Sequence, residues 1–353
     1  MSRIVMCGLS HSGKTCYLYG MLRKMMIGVD GFTVTPREMT EDGSSERMSY
    51  EKIIRACKRL GDTNLPLSER FPAPSDKIQR YTLDLKHNLK SVETFEWMDY
   101  PGEILEHDET NNSKKKFVEY LNDSNCLFVC VDGEYLSDMD DSEEDIIQRL
   151  QYDAGGLELN NVLQTVADSE HNWLPPICVI VTKYDMLPEE RRKKEFLINI
   201  ISGKEDSAGN KEYDGVFPVL FNKIGGGHDR IVTICPVTLG KDLENNGRLK
   251  PNAVELPICY ATYFSQVAKL SVLIDKIEEI KKAYGNDVDK YNSKSFLGRL
   301  FSERPTPPIS AEEAQKLAEI YESMKNDLDR IQSQIEGLPL FYNGERKEWA
   351  DLL

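Results

Sequence analysis

Residues 8–15, near the N-terminus, have the types and the spacing that bind the phosphate groups of a nucleotide. Their sequence, GLSHSGKT, fits the pattern G-x-x-x-x-G-K-[ST]. Glycine at both ends would let the backbone curl so that its N–H groups point at phosphate oxygens. We predict that Lys14 contacts the β- and γ-phosphates and acts in catalysis, and that Thr15 holds Mg²⁺ through its hydroxyl. The predicted nucleotide contacts in and beside this loop are Gly8, Ser10, His11, Ser12, Gly13, Lys14, Thr15 and Cys16.

The sequence on either side of the loop supports this match. Residues 2–7 are mostly apolar, which predicts a buried strand, and residues 14–27 are rich in Leu, Met and Tyr, which predicts a helix. A strand, a glycine turn and a helix form the setting in which the pattern binds phosphate, because the helix N-terminus adds a favourable dipole. A chance match in an ordinary glycine turn is the alternative.

A second group of polar residues follows the strand predicted at 92–99. Asp99 would hold Mg²⁺ through a water, and the N–H of Gly102 would bond the γ-phosphate of a triphosphate. Glu103 would accept a hydrogen bond or a proton from an attacking water, so Glu103 and Gly102 join Lys14 as predicted catalytic residues. Taken alone, Asp-x-Pro-Gly would indicate a plain turn, and Glu103 a solvated side chain.

Thr182, Lys183 and Asp185 stand at the end of another apolar run, where a strand is predicted at 177–183. Thr-Lys-x-Asp resembles the Asn-Lys-x-Asp signature with which GTPases read guanine, and Thr182 stands where asparagine is more common. The resemblance implies that Asp185 accepts two hydrogen bonds, from N1 and from the 2-amino group of guanine, a pair of donors that adenine lacks. It also implies that Lys183 lies along the plane of the base. A strand followed by a surface turn is the alternative.

Two further loops are predicted to complete the site. Thr238 and Leu239 follow the strand predicted at 230–237 and resemble a loop whose backbone N–H bonds guanine O6, with Thr238 as the donor. Ser75 is the predicted hydroxyl ligand of Mg²⁺ in the first switch loop, and a Pro-bounded surface turn is the equal alternative. The residues that compete with Ser75 for this role are Thr33, Thr35, Thr40 and Thr63. Arg70 is a separate candidate, as an arginine finger.

The order of these motifs resembles that of P-loop GTPases of the translation-factor and Ras-like class, over about residues 1–284. The sequence FPAPS at 71–75, with the later Asp-x-Pro-Gly-Glu, is similar to bacterial GTPases of the double-GTPase type found in conflict or signalling operons. The resemblance implies a switch that binds GTP or GDP with Mg²⁺ and hydrolyses GTP by attack of water on the γ-phosphate. A nucleotide-bound regulatory or scaffold module with little turnover, and an ATPase or kinase using the same loop, are the alternatives.

The elements that must position these residues alternate between strands and helices. The predicted strands are 2–7, 79–87, 92–99, 125–132, 177–183 and 230–237. The predicted helices are 14–27, 46–60, 143–167, 188–202, 260–284 and 310–336. This alternation predicts an α/β fold with a mostly parallel sheet, helices on both faces and one antiparallel edge strand. The site residues would then lie at the carboxyl ends of strands, where open α/β sheets bind ligands.

The chain is predicted to divide into a GTPase domain, a linker and a tail. The domain spans residues 1–284 and carries insertions at about 28–76 and 203–229. A proline-bearing linker follows at 285–309, and a C-terminal helical extension at 310–353. The switch regions or the C-terminal helix would bind a protein partner.

Composition narrows the class of protein. The 353 residues include 44 Lys and Arg against 59 Asp and Glu, and the net charge of −15 argues against nucleic acid or an anionic membrane as main partner. No apolar run is long enough to predict a transmembrane segment. Most of the eight cysteines fall in predicted strands without metal-ligand spacing, which indicates small buried side chains in a reducing cytoplasm.

Overall fold

The structure is a computed structural model, and the residues that it describes are 1–8, 11–37, 47–73, 77–102, 111–167, 174–206, 210–221, 230–245, 247–292 and 310–352. The chain divides into two compact units. The first comprises Met1–Ala261 together with Gln334–Leu353, and the second comprises Thr262–Ser333. Three predicted site residues, Ser10, Ser75 and Glu103, lie outside the described residues.

In the described part of the first unit, nine strands form one sheet and two more form a separate hairpin. In chain order the strands are β1 Ser2–Gly8, β2 Phe32–Pro36, β3 Gln79–His87, β4 Lys90–Asp99, β5 Cys126–Asp132, β6 Ile177–Thr182, β7 Gly203–Glu205, β8 Lys211–Asp214, β9 Ile231–Pro236, β10 Leu340–Tyr342 and β11 Glu345–Lys347. The order across the large sheet is β11-β10-β9-β6-β5-β1-β4-β3-β2, and β7 pairs with β8.

The middle of this sheet is parallel and its two edges are antiparallel. Strand β1 pairs in parallel with β4 and β5, β5 with β6, and β6 with β9. At one edge β3 is antiparallel to β4 and β2, and at the other β10 is antiparallel to β9 and β11. Strands β5 and β6 are buried along their whole length, as expected for apolar runs in a parallel sheet. The predicted α/β class with a mostly parallel sheet is confirmed.

Along the chain, the described helices are interspersed among these strands. They are α1 Lys14–Ile27, α2 Tyr50–Leu60, α3 Leu67–Arg70, α4 Asn111–Asn122, α5 Glu143–Tyr152, α6 Gly156–Ala167, α7 Lys194–Ser202, α8 Pro218–Phe221, α9 Leu256–Asn292 and α10 Ala311–Ile335. Helix α5 begins with a capping box. The Ser142 hydroxyl accepts from the N–H of Asp145, and the Asp145 carboxylate accepts from the N–H of Ser142, which satisfies two amides at the helix start.

Several helices and strands differ from the sequence prediction. The helix predicted at 143–167 is two helices, because Gly155 adopts a left-handed φ of 82° between α5 and α6. The helix predicted at 188–202 begins at Lys194, after a short 3₁₀ turn. Strand β2 lies inside the insertion predicted at 28–76 and extends the sheet by pairing with β3. The prediction omits α4, although Phe117 and Leu121, four residues apart, are both buried in this otherwise mostly polar helix.

The last residues of the chain belong to the sheet, which differs from the helical extension predicted at 310–353. Strands β10 and β11 flank Asn343 and Gly344, whose φ values of 51° and 79° suit a two-residue hairpin turn. A side chain at position 344 would also collide with the backbone of Phe221. The predicted C-terminal helical region is confirmed by α10 at Ala311–Ile335. Residues 340–347 form a hairpin instead, because Asn-Gly after an apolar run is a hairpin signal.

Helix α9 continues through Asn292, into the linker predicted at 285–309. Polar composition predicts a linker there, but a polar sequence does not by itself exclude a helix. Within the second unit, apolar side chains of α9 and α10 line a cavity of about 700 Å³, among them Ile274, Ile277, Tyr284, Leu317 and Tyr321. None of the helices in the described ranges has the length and apolarity needed to cross a membrane.

We expect the C-terminal hairpin to stabilise the first unit. Phe341 is buried against Phe221 with ring centroids 5.1 Å apart, whereas Arg346 forms an exposed ion pair with Glu195. Phe341→Ala should lower the free energy of unfolding by about 3–5 kcal/mol, and the control Arg346→Ala by at most about 1 kcal/mol. Urea denaturation measures both, and equally small losses would show that the hairpin contributes no packing.

Candidate functional site

The predicted phosphate loop joins the carboxyl end of β1 to the first turn of α1. Gly13 precedes the helix with a φ of 74°, a conformation that favours glycine. The Nζ of Lys14 donates to the Gly8 carbonyl oxygen at 3.2 Å and lies 3.5 Å from the Oγ of Ser12, so the ammonium stays beside the loop. Gly8 is needed for another reason, because a Cβ there would meet the Cys130 carbonyl of the adjacent strand β5.

Thr15 and Asp99, the two described residues predicted to bind Mg²⁺, lie next to each other. The Oγ1 of Thr15 donates to Oδ2 of Asp99 at 2.9 Å, which joins the start of α1 to the end of β4. The other oxygen, Oδ1 of Asp99, is buried and has no hydrogen-bond partner among the described residues. Burial raises the pKa of Asp99 to about 6, while the Lys14 ammonium and the Thr15 hydroxyl act in the opposite direction.

These oxygens fit a magnesium ion. Mg²⁺ is bound through oxygen ligands, and a cation beside Asp99 would offset the cost of keeping an ionised carboxylate buried. The described ranges contain no cluster of three or more His, Cys, Asp or Glu side chains placed to hold a metal. A magnesium ion at Thr15 and Asp99 would therefore take its remaining ligands from phosphate and water, as is usual for Mg²⁺. The predicted ligand Ser75 lies outside the described residues.

A cavity of about 210 Å³ opens beside the phosphate loop. Its walls include residues 11–16, Asp99, Gly102, Pro72, Ala73 and Lys77. Lys14 and Lys77 supply positive charge, and Thr15 and Asp99 stand where a cation would bind. The cavity therefore suits a polyanion accompanied by a divalent cation.

Thr182, at the end of β6, ties the phosphate loop to the opposite side of the site. Its buried hydroxyl lies 2.8 Å from the carbonyl oxygen of Ser12 and 3.2 Å from that of Val131, and its one proton serves these two acceptors. Threonine in place of asparagine in the Thr-Lys-x-Asp motif thus leaves the loop anchored to the strand end.

Lys183 is held by two acidic residues. Its backbone is left-handed with a φ of 50°, and its ammonium lies 2.9 Å from Oδ2 of Asp132 and 2.7 Å from Oε2 of Glu134. Burial by itself would lower the pKa of Lys183, but the two carboxylates outweigh it and raise that pKa above its ordinary value. The sequence prediction misses both acids, although Asp132 ends an apolar strand just as Asp99 does.

Asp185 lies beside the loop that follows β9. Its Oδ2 accepts from the N–H of Gly240 at 3.1 Å, and burial raises its pKa above the ordinary value. The N–H of Thr238, the predicted donor to guanine O6, donates to the Asn252 carbonyl at 3.1 Å. The N–H of Leu239, the other predicted contact in this loop, has no main-chain acceptor among the described residues.

A second cavity, of about 220 Å³, lies on this side of the site. Its walls include Phe71, Lys183, Asp185 and Leu239. His11, Gly13 and Cys16 line both cavities, so the two meet at the phosphate loop. One elongated ligand can therefore place a polyanionic end in the first cavity and a flat ring in the second.

Arg70 is not placed to act as an arginine finger. Its side chain is only 1% exposed, and its guanidinium donates to the carbonyl oxygens of Leu60 at 2.8 Å, Leu243 at 3.3 Å and Gly247 at 2.7 Å. Arg70 is absent from the walls of the phosphate cavity. It joins the end of α2 to the loop after β9.

Comparison with known proteins gives structural likeness without sequence similarity. No family model matches the chain, and no curated protein matches it. One similar solved structure is the crystal structure of an ADP ribosylation factor-like GTP-binding protein, the small COPII coat GTPase SAR1 from Encephalitozoon cuniculi, in complex with GDP. The two chains are 12% identical, 76% of this chain and 83% of that chain are covered, and the TM-score is 0.28. A TM-score this low supports no inference about this chain, and none of these findings supports the narrower resemblance to the bacterial double-GTPase type.

We expect the Thr182 hydroxyl to matter for ligand binding as well as for stability. Thr233 offers a matched control, because its buried hydroxyl donates to the Pro339 carbonyl at 2.8 Å and it lines neither cavity. Thr182→Val and Thr233→Val should each lower the free energy of unfolding by about 1–3 kcal/mol, because each removes a buried hydrogen bond to a main-chain carbonyl. Only Thr182→Val should also raise the dissociation constant for GDP, by about tenfold. Calorimetric titration of both variants with GDP measures this. Equal GDP affinities of the two variants would contradict the role given to Thr182.

Proposed function

We propose that this protein binds GTP and GDP with Mg²⁺ and hydrolyses GTP, acting as a molecular switch. The observation that supports the proposal best is that His11, Gly13 and Cys16 line both cavities. Groups suited to phosphate lie in one cavity, and groups suited to guanine lie in the other. A guanine nucleotide has the same layout, a chain of phosphates joined through a sugar to a flat base.

The base-side cavity offers the hydrogen bonds that guanine needs. The carboxylate of Asp185 can accept from N1–H and from the 2-amino group, and the open N–H of Leu239 can donate to O6. Adenine presents an acceptor at N1 and a donor at position 6, so it would place like groups against both residues. Phe71 and the aliphatic stem of Lys183 line the same cavity and would contact the faces of the base.

The phosphate-side cavity offers charge stabilisation. Lys14 and the N–H groups at the start of α1 would bind the β- and γ-phosphates. As water attacks the γ-phosphorus, negative charge develops on the oxygen that links it to the β-phosphate, and the Lys14 ammonium would stabilise that charge. Bound Mg²⁺, held by Thr15 and Asp99, would supply further neutralisation of the phosphates. Glu103 as the partner of the attacking water, and Ser75 as a further ligand of Mg²⁺, extend this proposal to residues outside the described ranges.

The switch would depend on Gly102, which lines the phosphate cavity. Its N–H would donate to the γ-phosphate and lose that acceptor after hydrolysis, so the backbone near Gly102 would differ between the GTP and GDP states. A protein partner would read this difference through the switch regions or through the C-terminal helices, in the cytoplasm. The net charge of −15 favours a protein over nucleic acid as that partner.

Asp185→Ala tests the guanine preference. Loss of a charged hydrogen-bonding group should cost on the order of 1.5–3 kcal/mol, or about 10–150-fold in the dissociation constant for GDP, with little change for ADP. Calorimetric titration with both nucleotides measures this. Asp140→Ala is the control, because Asp140 is exposed and is absent from the walls of both cavities. Equal affinity of the parent protein for GDP and ADP would overturn the guanine assignment and favour an ATPase or kinase.

Lys14→Ala tests the catalytic role of the phosphate loop. Single-turnover GTP hydrolysis should fall by at least about 100-fold, because the positive charge that stabilises the transition state is removed. Lys24→Ala is the control on the same helix, since Lys24 pairs with Glu255 and lines neither cavity. If Lys14→Ala hydrolysed GTP at the parent rate, the loop would not be the active site. A parent protein that binds GTP without turnover would favour the regulatory or scaffold alternative.

A further inference from the structure

Arg70 is a buried arginine whose described partners are all main-chain carbonyls. Each of its three guanidinium nitrogens donates one hydrogen bond, at distances of 2.8, 3.3 and 2.7 Å, and no carboxylate pairs with it in the described part of the chain. Leu60 lies at the end of α2, whereas Leu243 and Gly247 belong to the loop after β9. A buried guanidinium is unfavourable unless its N–H groups are bonded, so this link holds the two segments in a fixed relation.

Arg70 binds the loop after β9 that contains Leu239, Gly240, Leu243 and Gly247. This loop would contact the base and is called the base-reading loop. Leu243 lines the base-side cavity, and its N–H donates to the Gly240 carbonyl at 3.0 Å. The N–H of Gly240 in turn donates to Asp185 at 3.1 Å. Hydrogen bonds joined through the backbones of Leu243 and Gly240 therefore connect Arg70 to the carboxylate that would face the base.

The residues that follow Arg70 line the other wall of the site. Phe71 contributes to the base-side cavity, and Pro72 and Ala73 contribute to the phosphate-side cavity. The segment that Arg70 anchors therefore runs past both cavities. Its position relative to the base-reading loop depends on the bonds from Arg70 to Leu243 and Gly247.

We infer that Arg70 is a positioning residue, which holds the Phe71–Ala73 segment and the base-reading loop together and so sets how long and how selectively a guanine nucleotide is retained. The inference rests on the proposed function. Lysine cannot replace the arginine, because a single ammonium lacks the planar fork that reaches three separate carbonyls. With the link broken, the loop and the segment would move apart, and bound nucleotide would leave faster.

Arg70→Lys tests this inference, because it keeps the charge and removes the fork. Displacement of fluorescently labelled GDP by excess unlabelled GDP should show a dissociation rate raised by about tenfold. The ratio of ADP to GDP dissociation constants should fall by a similar factor. A general loosening of the fold would weaken GDP and ADP alike, so the falling ratio separates positioning from a merely structural role.

Arg23→Lys is the matched control. Arg23 also donates to a main-chain carbonyl of α2, that of Cys57 at 3.1 Å, but it lines neither cavity. It should leave the GDP dissociation rate and the nucleotide ratio at parent values. If the parent protein shows no preference for GDP over ADP, the proposed function fails. If the parent prefers GDP and Arg70→Lys keeps both the parent rate and the parent ratio, the inference about Arg70 fails alone.

Hydrogen exchange of the parent protein tests the role of Arg70 even if the Arg70→Lys variant does not fold. Helix α2 lines neither cavity, yet Arg70 connects its end to the base-reading loop. Addition of GDP should therefore slow amide exchange at the end of α2 as well as in the loop after β9. Protection confined to the loop, with unchanged exchange in α2, would overturn the inference.

Discussion

The hydrogen bond from Thr182 to the Ser12 carbonyl is the contact that holds the two halves of the site together. Thr182 ends β6 and Ser12 belongs to the loop after β1, and β5 lies between these two parallel strands. The strand end that carries Thr182 continues into Lys183 and Asp185. This buried hydroxyl, with the pairing of β1, β5 and β6, therefore fixes the separation between the groups that would bind phosphate and the groups that would bind the base. A ligand that spans both cavities must match that separation.

One group of the site is unfavourably buried without a ligand. Asp99 is buried with one oxygen unpaired among the described residues, and its pKa of about 6 reflects the cost of ionising it there. The fully buried apolar strands β5 and β6 at the centre of the sheet offset this cost through hydrophobic burial. A nucleotide with its cation would relieve the cost at Asp99, so binding should stabilise the folded state.

The sequence predicts the strands that carry the site because each is an apolar run that ends in polar residues, a pattern that depends on local sequence alone. It does not predict which backbone groups of the loops are already paired. The N–H of Thr238, for example, donates to the carbonyl of Asn252, fourteen residues later. The burial of Arg70 likewise depends on carbonyls from two distant segments. Asn343-Gly344 signals a hairpin locally, but no local pattern shows that the hairpin extends the sheet beside β9.

The central claim is that one guanine nucleotide occupies both cavities at once, and a crystal structure with GDP and Mg²⁺ tests it most directly. We expect the phosphates to contact Lys14 and the backbone at the start of α1, with the cation beside Thr15 and Asp99. We expect the base to lie in the second cavity, with its N1 within hydrogen-bonding distance of Asp185. A base bound outside that cavity, or phosphates away from Lys14, would contradict the account.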